Sequence, residues 1–331
     1  MERVVTALNS ALRSLMEADP SVYLIGEDIL DPYGGAFKVS RGLSTAFPER
    51  VVSTPISEGG LLGVANGLVL SGQKVFAELM FGDFTFLAMD QIVNFAAKSV
   101  SMYGDRMEFP LIVRCPVGGR RGYGATHSQT IAKHFIGVPN LPLYELSPVH
   151  DSALMMPQIF QRGEPAVIFE NKILYAHRQY ESDQIDDLYS RRCLDDLGEV
   201  VMLETGEKPD AVLIAAGGMV PSCLEAGRRL MLEAEIAVDI VVPYQLYPFP
   251  VASLASVMGA EPILAIVEEG TAGGTWGSEV AAALYAKYWG QLQSRILNIH
   301  SEDSIIPSAR HLEDQMLVSS DNIVRAIADA L

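Results

Sequence analysis

Short apolar segments alternate with longer helical patterns along most of this chain. Apolar runs bounded by turn residues are typical of buried parallel strands, and the helical segments between them supply the crossovers that such strands need. The alternation stops in a polar, charge-rich stretch at residues 176–198 and resumes at residue 210. The pattern therefore predicts an α/β protein whose parallel sheets are flanked by helices.

The chain has 331 residues, and one hydrophobic core rarely extends so far, so we expect two domains. We place the first at residues 1–178, a linker at 179–199 and the second at 200–331. Strands are predicted at residues 22–25, 51–53, 74–77, 111–114, 143–146, 166–169, 237–242, 263–267 and 296–299, with a strand and turn at 210–218. Helices are predicted at residues 4–17, 60–70, 85–102, 151–161, 224–233, 277–287 and 322–330.

Composition excludes several classes of protein. The net charge of −17 argues against a nucleic-acid partner, because phosphate backbones are bound by basic patches. The three cysteines show neither metal-binding spacing nor a disulfide framework, which indicates a reducing compartment. No signal or transit peptide is recognisable, and no apolar run approaches the roughly 20 residues that span a bilayer. We therefore expect a cytoplasmic protein without a membrane partner.

The run Thr-Pro-Ile-Ser-Glu-Gly-Gly at residues 54–60 places Glu58 between a predicted strand and a predicted helix. A carboxylate held between two apolar elements is partly desolvated, which raises its proton affinity towards the range useful for proton transfer. Ser57 and Glu58 also suit the first turn of a helix, where negative charge is favourable. Taken alone, the run leaves both interpretations open.

Three glycines, Gly59, Gly63 and Gly67, recur every four residues in the helix that follows Glu58. This spacing lines one helix face with small residues and allows another backbone to approach closely. The pattern predicts close backbone packing; the family resemblance described below implies that it lies at a subunit interface, and packing inside one domain is the alternative.

Two further segments are informative together with the run at residues 54–60. Residues 78–98 read Glu-Leu-Met-Phe-Gly-Asp-Phe-Thr-Phe-Leu-Ala-Met-Asp-Gln-Ile-Val-Asn-Phe-Ala-Ala-Lys, and residues 122–129 read Gly-Tyr-Gly-Ala-Thr-His-Ser-Gln. In this order and spacing, the chain resembles the beta subunit of the thiamine-diphosphate-dependent 2-oxo-acid dehydrogenases, the decarboxylating first component of the pyruvate, branched-chain and acetoin dehydrogenase complexes. The resemblance covers nearly the whole chain. It implies a transketolase-like pyrimidine-binding domain followed by a transketolase C-terminal domain.

The resemblance also implies roles for individual residues. Glu58 matches the glutamate that hydrogen-bonds the pyrimidine N1′ of thiamine diphosphate. Phe84 matches the aromatic residue on which the pyrimidine stacks, and Ile56 and Met80 would line the same pocket. His127 would stabilise the reaction intermediate and help to pass the acyl group on, as a loop histidine that titrates near neutrality can do. Core packing is the alternative for Phe84, Ile56 and Met80.

Two positions depart from the family pattern. Gly137 occupies the place of a second histidine that the family usually carries shortly after His-Ser-Gln, and His134 lies one helical turn earlier. The segment at residues 305–308 reads Ile-Ile-Pro-Ser and lacks the family's Pro-Tyr pair. These differences bear on the substrate and the acyl acceptor more than on the cofactor.

No Gly-Asp-Gly motif for the diphosphate and its metal occurs in the sequence. The resemblance therefore implies that an alpha subunit holds Mg²⁺ and the diphosphate in an α₂β₂ assembly, so that this chain supplies half of the thiamine diphosphate site. The Gly-rich segment at residues 269–277 opens a predicted helix and could bind an anion, although a simple turn is the favoured interpretation.

The leading hypothesis is a beta subunit that decarboxylates a 2-oxo acid and transfers the acyl group to lipoamide on a lipoyl-bearing acyltransferase. A two-chain thiamine-dependent carboligase, similar to transketolase, would use the same cofactor with a different acceptor. A non-catalytic scaffold subunit is the third hypothesis. The presence together of Glu58, Phe84 and His127 argues against the scaffold.

Overall fold

The computed structural model describes residues 2–259, 263–292 and 294–331. The chain forms two compact units. The first unit comprises Met1–Val117, Gly137–Tyr144 and Asp151–Gln179. The second unit comprises Gly118–Ile136, Glu145–His150 and Tyr180–Leu331.

The first unit is built on parallel strands. They are β1 (Val22–Glu27), β2 (Val51–Thr54), β3 (Lys74–Glu78), β4 (Leu111–Val117), β5 (Leu143–Glu145) and β6 (Ala166–Asn171). They lie in the order β5-β6-β4-β3-β1-β2, and the β1–β2, β1–β3, β3–β4 and β4–β6 pairs are all parallel. Every residue of β4 and β6 is buried, as expected for parallel strands with both faces covered.

Helices accompany these strands. They are α1 (Val4–Ala18), α2 (Leu43–Ala46), α3 (Glu58–Leu70) and α4 (Ser152–Gln161). The sequence pattern predicts α1, α3 and α4, but not the single helical turn α2. The carboxyl ends of β1 and β2 lie side by side, with Glu27 opposite Thr54. Parallel sheets bind ligands at this edge, outside the carboxyl ends of their strands.

The helix predicted at residues 85–102 is replaced by two irregular segments. Gly82–Ala88 forms a 3₁₀-helix, and Asp90–Ala97 forms a π-helix. The Asn66 side chain of α3 donates a 3.2 Å hydrogen bond to the backbone carbonyl of Gln91. A side chain that enters the helical ladder is a known cause of such departures, and the periodicity of the sequence does not reveal it.

The second unit has a mixed sheet. Its strands are β7 (Ser190–Cys193), β8 (Val200–Glu204), β9 (Ala211–Ala215), β10 (Val238–Pro243), β12 (Ile263–Thr271) and β13 (Leu297–Ser301), in the order β13-β12-β9-β10-β8-β7; β11 (Gln245–Tyr247) follows β10 in the chain. The pairs among β13, β12, β9 and β10 are parallel, whereas β8 runs antiparallel to β10 and β7. Strand β7 lies inside the segment that was predicted to be a linker.

Four α-helices lie within the part of the second unit that the structure describes. They are α5 (Val220–Ala234), α6 (Trp276–Tyr288), α7 (Arg310–Met316) and α8 (Ser320–Ala328). Buried side chains of α5, α8 and the central strands form one hydrophobic core. Among the helices that the structure describes in either unit, none combines the length and the apolar character needed to cross a bilayer.

Candidate active site

Glu58 is the first residue of α3 and follows β2 after a short bend. Its side chain is 6% exposed. A Cβ atom at the next residue, Gly59, would lie 3.3 Å from the carbonyl oxygen of Leu87. The glycine therefore lets the start of α3 approach the 3₁₀-helix Gly82–Ala88, against which α3 packs. The sequence thus places a buried carboxyl group at the carboxyl edge of the sheet.

A second carboxyl group, that of Glu27, lies beside Glu58 at the end of β1 and is 1% exposed. Its Oε1 atom accepts a 2.9 Å hydrogen bond from the backbone N–H of Ser57, and its buried Oε2 atom has no hydrogen-bond partner among the described residues. Burial raises the pKa of Glu27, and the negative charges of Glu58 and Asp28 raise it further, whereas the Ser57 N–H lowers it. Glu27 is therefore suited to hold a proton beside Glu58.

Glu27 is absent from the residues predicted for the site. The signal that could have identified it is positional. An acidic residue at the last position of an otherwise apolar parallel strand lies at the edge where α/β proteins bind ligands.

The aromatic and apolar candidates lie in the same unit as Glu58. The half-buried Phe84 packs edge-to-face on Phe81, with ring centroids 5.8 Å apart and an interplanar angle of 73°. Met80 is also half-buried. Ile56 is 70% exposed, which excludes packing in the core of the first unit as its role. A single exposed apolar side chain is common on protein surfaces, so the exposure of Ile56 leaves it accessible to a ligand without by itself assigning it to a site.

A buried ionic network holds the neighbouring strand ends. The Arg114 guanidinium donates to both carboxylate oxygens of Glu170, at 2.7 and 2.8 Å, and to Glu78 at 3.0 Å. Tyr175 donates to Glu170 at 2.7 Å, and Ser40 donates to Glu78. Burial raises the pKa of Glu78, against the lowering effect of Arg114. The network links β4 to the carboxyl-terminal parts of β3 and β6, and its hydrogen bonds satisfy charges that would otherwise be costly to bury.

His127 belongs to the second unit and lies in a loop that begins directly after β4. The loop is closed by a 3.1 Å hydrogen bond from the Gly118 N–H to the Gln129 carbonyl. The His127 Nδ1 atom lies 2.9 Å from the Thr126 hydroxyl, and the His127 N–H donates to the Gly124 carbonyl at 3.3 Å. The imidazole is half-buried, so it remains accessible to a ligand.

A cavity of ≈ 270 Å³ opens beside this loop within the second unit. Its wall combines apolar side chains with hydroxyl and amide groups, and consists of Ala125, Gln129, Thr271, Ser304, Ile305 and Ile306. Ile305 and Ile306 belong to the segment at residues 305–308, which lacks the Pro-Tyr pair of the family pattern. The segment that departs from the pattern therefore forms part of the wall of a cavity that adjoins the His127 loop.

A glutamate side chain of this chain already binds the backbone N–H groups at the start of α6. The Glu268 carboxylate accepts hydrogen bonds from the N–H groups of Gly277, at 2.6 Å, and Trp276, at 3.3 Å. The Lys133 ammonium donates to the Thr271 carbonyl at 2.9 Å and to that of Gly273 at 3.1 Å. Because an internal carboxylate satisfies the N-terminus of α6, the simple-turn interpretation of residues 269–277 is favoured over an anion site.

The second-histidine position offers no substitute side chain. Gly137 has a φ of +85°, and a Cβ atom there would meet nothing within 4 Å. His134 lies in the 3₁₀-helix Ala132–His134, and burial, with the charge of Lys133, lowers the pKa of His134. Among the described residues, no group of three or more histidine, cysteine or acidic side chains is placed to hold a metal ion.

Comparisons with known proteins cover both units. Residues 3–178 match the transketolase pyrimidine-binding domain family, and residues 198–323 match the transketolase C-terminal domain family. A solved structure described as a split gene transketolase, inactive beta4 tetramer, superimposes with a TM-score of 0.74 at 22% identity, covering 98% of this chain and 97% of that one. Transketolase from Leishmania mexicana gives a TM-score of 0.69 at 15% identity, covering 98% of this chain and 45% of that one. These likenesses confirm the predicted transketolase-like α/β fold.

Three relatives extend along almost the whole chain. The mitochondrial pyruvate dehydrogenase E1 component subunit beta-1 of Arabidopsis thaliana is 31% identical, covering 97% of this chain and 86% of the relative. The pyruvate dehydrogenase E1 component subunit beta of Leifsonia xyli is 30% identical, with 99% and 94% covered. The acetoin:2,6-dichlorophenolindophenol oxidoreductase subunit beta of Bacillus subtilis is 29% identical, with 100% and 98% covered. The chain therefore belongs to the family of beta subunits of thiamine-diphosphate-dependent 2-oxo-acid dehydrogenases.

Proposed function

We propose that this beta subunit works with an alpha subunit in an α₂β₂ assembly that decarboxylates a 2-oxo acid and transfers the acyl group to lipoamide. The alpha subunit would hold Mg²⁺ and the diphosphate of the cofactor, and a lipoyl-bearing acyltransferase would receive the acyl group. The observation that carries this proposal is the pair of buried carboxyl groups, Glu58 and Glu27, at the carboxyl edge of the sheet.

The side chains of the first unit fit the pyrimidine half of thiamine diphosphate. Glu58 offers a carboxyl group for the pyrimidine N1′, and Phe84 offers an aromatic face for stacking. Ile56 and Met80 supply apolar contacts. The Glu27 Oε2 atom is buried without a hydrogen-bond partner among the described residues. A polar group of a ligand could supply the missing hydrogen bond. When bound, the cofactor supplies the nucleophilic carbon for attack on the 2-oxo acid and accepts the electrons left by decarboxylation.

Three residues of this chain would have separate roles in the reaction. Glu58 would hold a proton against the pyrimidine nitrogen, a role that suits a carboxyl group withdrawn from bulk water. Glu27 would hold a proton beside it, since two adjacent buried carboxyl groups resist carrying two negative charges. His127 would bind the carboxylate of the substrate or the developing acyl group.

A reconstitution assay tests the proposal. The chain would be pulled down from its native lysate, and the partner that co-purifies would be identified and co-expressed with it. We expect the partner to carry a Gly-Asp-Gly motif, and the complex to bind thiamine diphosphate, release CO₂ from a 2-oxo acid and acylate lipoamide. Recovery of the chain as a homo-oligomer that binds no thiamine diphosphate would contradict the proposal and favour the scaffold hypothesis.

A carboligase with a non-lipoyl acceptor is the second candidate, because Gly137 leaves the second-histidine position without a side chain. Product analysis with and without lipoamide separates the two. Carbon–carbon bond formation in the absence of lipoamide supports the carboligase, whereas acylation that depends on lipoamide supports the dehydrogenase.

Two further predictions complete the proposal. We assign the pyrimidine-binding function to residues 1–178 and the C-terminal domain to residues 200–331; within the linker predicted at 179–199, β7 joins the sheet of the second unit. We place the assembled enzyme in the cytoplasm. Fractionation of the native cell, with the chain detected by antibody, tests the location.

A further inference from the structure

A buried glutamate of the second unit supports the loop that carries His127. Glu313 lies in α7 and is 0% exposed. Its Oε1 atom accepts a 2.8 Å hydrogen bond from the Arg120 N–H, and its Oε2 atom accepts a 3.2 Å hydrogen bond from the Gly122 N–H. Both carboxylate oxygens are therefore committed to the backbone of one turn.

A second carboxylate supports the same turn from β12. The Glu269 Oε1 atom accepts a 2.7 Å hydrogen bond from the Gly119 N–H. The Arg120 side chain pairs with this acid, with its Nε atom 3.6 Å from Glu269 Oε2 and its terminal nitrogen donating to the Val318 carbonyl. A cation so placed offsets the cost of burying the Glu269 carboxylate.

One residue of the turn adopts a strained backbone conformation. Arg120 has a φ of +66°, in the left-handed region that disfavours side chains, whereas Gly118 and Gly122, at +87° and +68°, adopt this region readily. A non-glycine residue keeps such a conformation only where the surrounding structure over-determines it. Here, the carboxylate hydrogen bonds to Gly119, Arg120 and Gly122 provide that constraint.

The turn also packs directly on α7. A Cβ atom at Gly119 would lie 2.4 Å from a methyl carbon of Leu317 and 3.2 Å from Glu313 Oε1. From this contact the chain runs to Gly124, whose carbonyl accepts the His127 N–H. The path from Glu313 to the imidazole is thus a short, hydrogen-bonded stretch of backbone.

We propose that Glu313 is a positioning residue for His127: by holding the N–H groups of Arg120 and Gly122, it sets where the loop presents the imidazole to the reacting group. The catalytic role of His127 in this inference rests on the proposed function. The hydrogen bonds by which Glu313 holds the loop do not depend on it. A carboxylate is required because it has two acceptor oxygens, whereas a glutamine has one and would turn its NH₂ group towards a backbone N–H.

The test compares Glu313→Gln with Asp239→Asn in the complex with the partner subunit. Asp239 is a matched control, because it is a buried carboxylate of the same unit that accepts a 2.9 Å hydrogen bond from the Thr205 N–H instead. We expect Glu313→Gln to lower kcat about 10- to 100-fold, as small misplacements of catalytic groups do, with thiamine diphosphate affinity unchanged. Asp239→Asn should retain kcat.

Amide hydrogen exchange gives a readout that is independent of activity. In Glu313→Gln, the peptide covering residues 118–127 should exchange faster than in the wild-type chain, and in Asp239→Asn it should not. Unchanged exchange in that peptide, or faster exchange with wild-type kcat, would overturn the proposal. If Glu313→Gln does not fold, Glu269→Gln applies the same test through the Gly119 N–H.

The design separates this inference from the proposed function. A wild-type complex that acts on no 2-oxo acid would reject the function. Exchange of the loop, with the NMR signal of the His127 ring in ¹³C-histidine-labelled chains, would still decide whether Glu313 positions the imidazole. An unshifted His127 signal in Glu313→Gln would count against positioning.

Discussion

The Ser57 N–H donates a 2.9 Å hydrogen bond to Glu27 and thereby ties the end of β1 to the residue that precedes Glu58. One carboxyl group thus fixes the backbone that presents the other. The arrangement also makes the protonation of Glu27 depend on Glu58, because the charge of Glu58 raises the pKa of Glu27 after burial has done so.

The first prediction concerns the stability of the chain with Glu27→Gln. The folded pKa of Glu27 lies above its ordinary value of 4.5, so the folded state binds the proton more tightly than the unfolded state. The contribution of Glu27 to the free energy of unfolding is fully present below pH 4.5. It is lost as the pH rises through the raised pKa of the folded state. Glu27→Gln should therefore gain free energy of unfolding relative to wild type as the pH rises above 4.5.

Urea unfolding of the isolated chain at a series of pH values measures this difference. Glu49→Gln serves as the control, because Glu49 is exposed in the same unit. A constant difference between Glu27→Gln and wild type across the pH series would show that Glu27 titrates alike in the folded and unfolded states.

The second prediction concerns Glu58→Gln. We expect the variant to fold and assemble normally, since the amide keeps the size of the side chain, but to lose about 10²-fold or more in kcat because it cannot exchange a proton with the pyrimidine nitrogen. Steady-state decarboxylation by the complex measures the loss, with Glu49→Gln as control. Near-wild-type turnover in a correctly assembled Glu58→Gln complex would reject the role of Glu58.

Local patterns predicted most of the fold, and long-range contacts account for the failures. The apolar run of β4 and the Ser-Glu-Gly-Gly start of α3 have local causes, so their elements are visible in the sequence. Glu27 and Glu313 are not visible in this way. Glu313 contacts Arg120 across 193 residues, and no periodicity or motif indicates such a pairing.

The third prediction concerns acid stability and His150 of the second unit. Burial lowers the pKa of His150 from 6.5 to about 3, so the folded state keeps the imidazole neutral while the unfolded state binds a proton. Stability from this group is present above pH 6.5 and is lost as the pH falls towards 3. His150→Gln should remove this loss, because glutamine does not titrate.

Thermal unfolding between pH 7 and pH 4 tests the expectation. Wild type should lose stability faster than His150→Gln over this range. His311, which is exposed, provides the control variant His311→Gln. Parallel acid profiles for His150→Gln and wild type would show that other groups cause the acid sensitivity.

The fourth prediction concerns the glycine face of α3. A Cβ atom at Gly67 would meet nothing within 4 Å, whereas one at Gly59 would press on the Leu87 carbonyl. Packing inside the first unit therefore accounts for Gly59 but not for Gly67. We expect Gly67→Ala to stabilise the isolated chain by up to about 1 kcal/mol, through helix propensity, and yet to weaken assembly with a neighbouring subunit.

Two measurements decide this last prediction. Urea unfolding gives the stability of the isolated chain, and sedimentation velocity gives the assembly of the complex. Gly290→Ala is the control, because a Cβ atom there also meets nothing within 4 Å. If Gly67→Ala and even the bulkier Gly67→Leu assemble as tightly as wild type, Gly67 does not lie at a subunit interface. If Gly290→Ala assembles tightly and Gly67→Ala does not, the Gly67 side of α3 contacts a neighbouring subunit. A single added methyl group weakens an interface where two backbones approach closely.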